Sequence, residues 1–316
     1  MDVLYWQSLI QGIVQGLTEF LPVSSTGHLI IADRLMELCS AYRAGGGFKK
    51  MFDVVVQLGS IVAVVLYFHR KLIPAAAFYD REAFRGTFSI WLKTLAGVLP
   101  AILVGALFGS RIQDFLYTPL TVALALIIGG VILIAVDSTE GAVVAERKET
   151  GEEETTSGEE KTSGEEKMIE AQALRRGEKE SLGRVKEISS LSYRKAFGIG
   201  VIQCLAMIPG TSRSASTIIG GMCLGCSRPL AAEYSFFLAV PTMVAASGYS
   251  LLKHGALMSR EEWIALGIGF LAAFFVAWGV IAAFMMYIRT HDFKPFGYYR
   301  ILLGTVILAL LYFKVL

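Results

Sequence analysis

Charge is scarce in this chain, and what there is nearly cancels. Only 18% of its 316 residues are Asp, Glu, Lys or Arg, and 29 basic against 27 acidic side chains leave a formal charge of +2. A nucleic-acid binder gathers basic residues on one exposed face, so this balance excludes a polyanionic partner and no nucleic acid is expected. Cysteine is equally sparse: Cys39, Cys204, Cys223 and Cys226 include one C-x-x-C pair, with no second pair or nearby histidine to complete a zinc set. They read as small apolar residues within helices. Met1 to Ile10 has no basic n-region and no A-x-A-like site after it, so a cleaved leader is not expected and the first apolar segment should stay.

What the chain has instead is apolar sequence, 54% of the whole, which is too much for a soluble globular domain and points to an integral membrane protein. Six segments, 51–69, 91–109, 119–137, 232–252, 262–287 and 297–316, are long enough to cross a bilayer, for which about 20 apolar residues suffice. Two more apolar regions, 3–38 and 196–226, are interrupted. Pro22-Val23-Ser24-Ser25-Thr26-Gly27 breaks the first, and Pro209-Gly210-Thr211-Ser212-Arg213-Ser214 the second. Facing lipid, such breaks would strand backbone polar groups, so they must be buried in protein or line a wet cavity. Both regions therefore read as re-entrant helical hairpins.

Lys and Arg in short connections favour the cytoplasm. Arg70, Lys71, Arg81 and Arg85 follow the first crossing, whereas 110–118 holds only Arg111; Arg289 and Lys294 mark another inner connection. Each half is then a hairpin plus three crossings, and an odd number inverts the second half relative to the first. The expectation is an all-α membrane protein of six transmembrane helices and two re-entrant hairpins in inverted-topology repeats. The first repeat covers 1–137 and the second 193–316. Gln15 and Gln203 precede their prolines by nearly equal distances, and Ser25 and Ser212 each follow theirs by three residues. Between the repeats, 138–192 is rich in Glu, Lys, Gly, Ser and Thr and carries TSGEEK twice in tandem, at 156–161 and 162–167. That composition cannot bury a core, so a disordered cytoplasmic insertion is expected there, with some helix over 165–187.

The chemistry collects in the breaks. Gln15 and Glu19 share a helical face at i, i+4, and a carboxylate at membrane depth is a functional candidate by default. After Pro22 come the hydroxyls of Ser24, Ser25 and Thr26, then Gly27 and His28; a helix opening there offers N–H groups and hydroxyls to an anion, and His28 a nucleophile or general acid. In the second break Arg213 is the planar fork suited to phosphate, among Ser212, Ser214 and Thr217. The P-loop pattern G-x-x-x-x-G-K-[ST] is absent. An acid, a histidine, an arginine and many hydroxyls suit phosphoryl transfer better than ion conduction.

EFLPVSSTGH at 19–28, FDVVVQLGSIVAVV at 52–65, PGTSRSAST at 209–217 and EYSFFLAVP at 233–241 closely resemble the bacterial undecaprenyl-diphosphatase family, also linked with bacitracin resistance. The likeness spans nearly all of 1–137 and 193–316 and leaves out the charged insertion. It implies hydrolysis of undecaprenyl diphosphate, recycling the lipid carrier of cell-wall synthesis on the outer face of the cytoplasmic membrane, with a divalent cation, Mg2+ or Ca2+, and a homodimer. The family's E/Q-x-x-x-E motif falls on Gln15 and Glu19, and Gln in the first place leaves Glu19 most of the metal or acid-base work. On this reading Arg213, Ser212, Ser214 and Thr217 hold the diphosphate, with Gln15, Ser24 and Thr26 also at the substrate. Glu19 is metal ligand or base, and His28, Ser25 or a water attacks. Two other classes are compatible with inverted repeats and an acidic insertion: a polyprenyl-phosphate flippase, and a membrane scaffold.

Overall fold

The structure is a computed structural model of the chain, in which residues 2–36, 47–73, 81–149, 184–254 and 258–315 are described. They form helices and turns with no strand among the described residues, only a single bridge between Val185 and Cys226. In chain order the α-helices are α1 (Asp2–Thr18), α2 (Ser25–Met36), α3 (Gly47–Tyr67), α4 (His69–Leu72), α5 (Arg81–Leu116) and α6 (Pro119–Glu149). Then come α7 (Tyr193–Gln203), α8 (Arg213–Cys223), α9 (Arg228–His254), α10 (Arg260–Tyr287) and α11 (Lys294–Tyr312).

Among the described residues five helices are long and apolar enough to cross a membrane: Phe84–Gly109, Pro119–Thr139, Arg228–Leu252, Arg260–Tyr287 and Lys294–Tyr312. Their outward faces carry Leu103, Leu107, Ile128, Leu271, Phe275 and Leu302, all exposed, as a lipid-facing surface requires. The sixth expected crossing, 51–69, is a shorter apolar helix, Met51–Tyr67, because Lys49 and Asp53 make the first turns of α3 polar.

The two interrupted regions each fold as helix, break, helix. The α1–α2 hairpin is tied along its length by glutamine amides spaced four apart on α1. Gln7 Nε2 donates to Met36 O at 2.7 Å and Gln11 Nε2 to Asp33 Oδ1 at 2.5 Å. Asp33 in turn pairs with Lys49 at 3.1 Å, and Lys49 also binds Asp53, which joins the hairpin to α3.

Helices of the two halves interleave. α1 packs on α10, α7 on α5, α3 on both α9 and α10, and α6 on α11. Two of these contacts are built alike: Gly12 of α1 sits against the Gly269 carbonyl of α10, and Gly200 of α7 against the Gly97 carbonyl of α5. A Cβ at either glycine would strike backbone, so only glycine permits the approach, as in helix pairs held by close packing within a membrane. At the far end of α6, fully buried Asp137 accepts from Arg228 Nε at 2.7 Å and from Phe293 N at 3.0 Å, linking α6, α9 and the start of α11.

Helix α6 runs on past residue 137, to Glu149, and on the other side Ile188 and Leu191 are buried around a short 3-10 turn. The TSGEEK repeats and most of the helix expected over 165–187 lie outside the described residues.

Candidate functional site

Both breaks leave the helix by the same backbone device. In the first, α1 ends at Thr18, whose hydroxyl returns to Val14 O at 2.7 Å, and the chain turns until Ser24, at φ 70°, immediately before α2. In the second, α7 tightens into a 3-10 turn over Cys204–Met207, passes Gly210 at φ 92°, and reaches Ser212 at φ 72° immediately before α8. Positive φ is uncommon for a non-glycine residue and persists only where surroundings hold it. Ser24 follows Gln15 by nine residues, and Ser212 follows Gln203 by nine. The backbone therefore matches Ser24, not Ser25, with Ser212. The proline spacing misplaces the register by one because Gly210, not Pro209, occupies the place of Pro22.

From these breaks two charged side chains meet. Arg213 Nη2 donates to Glu19 Oε1 at 3.1 Å, while Gln15 Nε2 at 2.6 Å and Ser25 Oγ at 3.1 Å both donate to Oε2. Arg213 Nη1 is held by Ser235 O of α9 at 3.0 Å. The side chains of Glu19 and Arg213 are only 6% and 10% exposed, and a pair so buried depends on further hydrogen bonds, which reach every polar atom of the two except Arg213 Nε, buried without a partner. A second bond crosses between the breaks, Ser214 Oγ to Leu21 O at 2.9 Å. Ser212 Oγ accepts from Ala215 N and lies 3.0 Å from Ser214 Oγ, and the Thr217 and Ser235 hydroxyls are 2.6 Å apart. Of the residues singled out from sequence, Gln15, Glu19, Ser25 and Arg213 thus join in one hydrogen-bonded group, while Ser214 bonds Leu21 O and Ser212 beside it and Thr217 follows on α8.

His28 looks elsewhere. Its Nδ1 lies 2.8 Å from Ser24 O, an atom that can only accept, so Nδ1 carries the proton and Nε2 accepts from the Tyr299 hydroxyl at 2.7 Å. The two rings stack with centroids 5.5 Å apart. Burial pushes the His28 imidazolium below its ordinary pKa, with the Ser24 carbonyl opposing in part. His28 thus supports the strained serine while sitting one helical turn from Ser25. Ser24 is buried in the break itself, and Thr26 is half-buried on the first turn of α2.

Three participants escaped the sequence reading. Tyr299 is an ordinary residue of an apolar helix and carries no signal, and Ser235 lies in the EYSFFLAVP stretch but is not marked there as a site residue. Arg300 does carry one: it is an ionisable residue inside the expected crossing 297–316, which by itself marks function. It is fully buried and donates to carbonyls of both breaks, Pro22 O at 3.2 Å and Thr211 O at 2.9 Å.

A multi-pass helical membrane protein with a carboxylate–guanidinium site assembled from two helix breaks is the class that fold and site define. A family profile described as "Bacitracin resistance protein BacA" matches residues 8–306, and the chain belongs to that family. Among its relatives, Undecaprenyl-diphosphatase 1 of Clostridioides difficile (strain 630) is 42% identical over 304 residues, covering 96% of this chain and 95% of that protein. The undecaprenyl-diphosphatase of Fusobacterium nucleatum is 40% identical over 305 residues, 96% and 99% of the two chains.

Proposed function

We propose that this chain is a membrane phosphatase that hydrolyses undecaprenyl diphosphate to undecaprenyl phosphate and inorganic phosphate. The observation that carries the reading is the Glu19–Arg213 pair drawn from the two breaks, in a chain that matches proteins of that name along almost their whole length. Glu19 here takes the position on the Arg213 fork that a phosphate oxygen would take. Substrate binding exchanges the carboxylate for phosphate, and the N-terminus of α8, with Ser212, Ser214 and Thr217, completes the cradle. Glu19, released from Arg213 but kept in place by Gln15, then sits beside the Ser25 hydroxyl that already donates to it.

That geometry favours Glu19 as the base that takes the proton of Ser25, or of a water in its place, as the oxygen attacks the terminal phosphorus. The bond from that phosphorus to the bridging oxygen breaks, and the lipid monophosphate leaves. With Ser25 as nucleophile, a water then cleaves the phosphoserine. Arg213 stabilises the charge that gathers on the equatorial oxygens. His28, whose ring nitrogens are both engaged, is the less favoured attacker.

The donor set fits a divalent cation of the Mg2+ or Ca2+ kind. Gln15 Oε1 is a buried oxygen without a hydrogen-bond partner beside the Glu19 carboxylate, and Mg2+ commonly binds through one or two carboxylates plus substrate phosphates. When bound, the cation would supply charge neutralisation at the phosphates. Glu19 and Gln15 would hold it.

The proposed setting is the cytoplasmic membrane, with six crossings in inverted repeats that count Met51–Tyr67 as the sixth, and with the site opening to the outside. The matched glycine contacts, Gly12 with Gly269 and Gly200 with Gly97, support the duplication, as do the matched serines. The test is phosphate release by the purified protein from a long-chain prenyl diphosphate in detergent. Release that depends on Glu19 and Arg213 is expected, and none from the wild-type chain would overturn the reading.

A further inference from the structure

Where a chain leaves a helix inside a membrane protein, its carbonyls lose the N–H groups that a next turn would supply, and each must find another donor. At these two breaks the donor is shared. Arg300 Nη1 serves Pro22 O at 3.2 Å, and Nη2 serves Thr211 O at 2.9 Å and Gly210 O at 3.3 Å, with Ala125 O of α6 at 3.2 Å. Pro22 adjoins Leu21, whose carbonyl takes the Ser214 hydroxyl, and Thr211 is two residues before Arg213.

The space for this guanidinium is made by α6. A Cβ on Gly129 would collide with Arg300 Nη2, and moving the fork aside would cost it the carbonyls it donates to. An ammonium could not replace it. A guanidinium spreads its donors over a rigid plane and reaches separate loops at once, whereas the lysine head is a single point.

We propose that Arg300, seated against Gly129, is a positioning residue of the phosphatase site: it fixes the tips of the two breaks relative to each other, so that Glu19 from one faces Arg213 from the other. Arg300 does not touch the reacting atoms in this scheme. The proposal rests on the reading of Glu19 and Arg213 as the reactive pair. Its consequence is a separation of kinetic constants. Ser212, Arg213, Ser214 and Thr217 all belong to the second break, so a slip between the tips leaves phosphate binding intact and misplaces Glu19.

The experiment compares full-length Gly129→Ala, Arg300→Lys, the double variant and Glu19→Gln, purified in detergent, by phosphate release from a prenyl diphosphate and by thermal melting. Small misplacements of reacting groups cost on the order of a hundredfold in rate. For Arg300→Lys we expect kcat per folded molecule to fall about a hundredfold, and for Gly129→Ala at least about tenfold, with KM within about threefold of wild type. Because the slimmer lysine no longer fills the space beside residue 129, the double variant should be no worse than Arg300→Lys alone. Wild-type kcat per folded molecule in both single variants, with only the folded fraction reduced, overturns the proposal and leaves the reactive pair standing if Glu19→Gln is inactive. Full activity of Glu19→Gln instead overturns the reading of the pair, and this proposal with it.

Discussion

A buried carboxylate and guanidinium facing each other hold each other's charge in place, so removing either alone leaves the other stranded. Breaking a buried pair in this way costs about 3–5 kcal/mol. Glu19→Gln should keep the fold better than Arg213→Ala, because the amide oxygen can still accept from Arg213 while its NH2 donates to the Ser25 hydroxyl. Its phosphate release should nonetheless fall by a factor of about a thousand if Glu19 is the base, while the melting temperature shifts by only a few degrees. Arg213→Lys loses the fork that reaches Glu19 and Ser235 O together, so it should both raise KM and lower kcat, each by about tenfold or more. Titration separates His28 from these groups. Its folded pKa lies below the ordinary 6.5 because burial disfavours the charged ring. A need for neutral His28 is therefore met at pH 6.5 and fails only at lower pH. An acid limb in kcat/KM below pH 6.5 that vanishes in His28→Gln would assign it to this ring; a limb unchanged by that substitution would not.

At the scale of elements, the breaks depend on two serines whose backbones stand where glycine is most at ease. Ser24→Gly should be tolerated, with activity within about threefold of wild type, since glycine adopts φ 70° without strain. Ser24→Val, β-branched at positive φ, should lower both melting temperature and activity. The breaks themselves were legible in the sequence, because proline, glycine and hydroxyls inside apolar runs have no place against lipid. So were Glu19 and Arg213, the ionisable residues beside them. The register of the serines was not legible, because a dihedral angle leaves no mark on composition and the prolines of the two halves are offset by one. Nor was the reach of α6 to Glu149, since a charged, small-residue sequence can extend a helix already nucleated by the apolar turns before it. Arg300 was visible as a charge within a crossing, but its partners are carbonyls, which every residue has and no sequence pattern singles out.

At the scale of the whole molecule, each half of the chain completes the other. α1 lies on α10, α7 on α5, and the central pairs α3–α9 and α6–α11 join the halves directly. Neither half expressed alone should show phosphatase activity, whereas 1–149 and 184–316 produced together in one membrane should recover part of it. Co-purification and phosphate release would check this, and recovery by 1–149 alone would contradict the interleaving.

The seat of Gly12 against Gly269 also sets a timetable. α1 is made first, yet its partner α10 is made only after most of the chain has left the ribosome. Until then the helix that leads into Glu19 has its glycine groove unfilled, even after Arg213 has been made. Glu19 therefore waits on partners made well after it, and Arg300, in α11, comes later than either Arg213 or α10. Activity therefore waits for α11 to dock, which makes assembly of the site a late event in the folding of the chain.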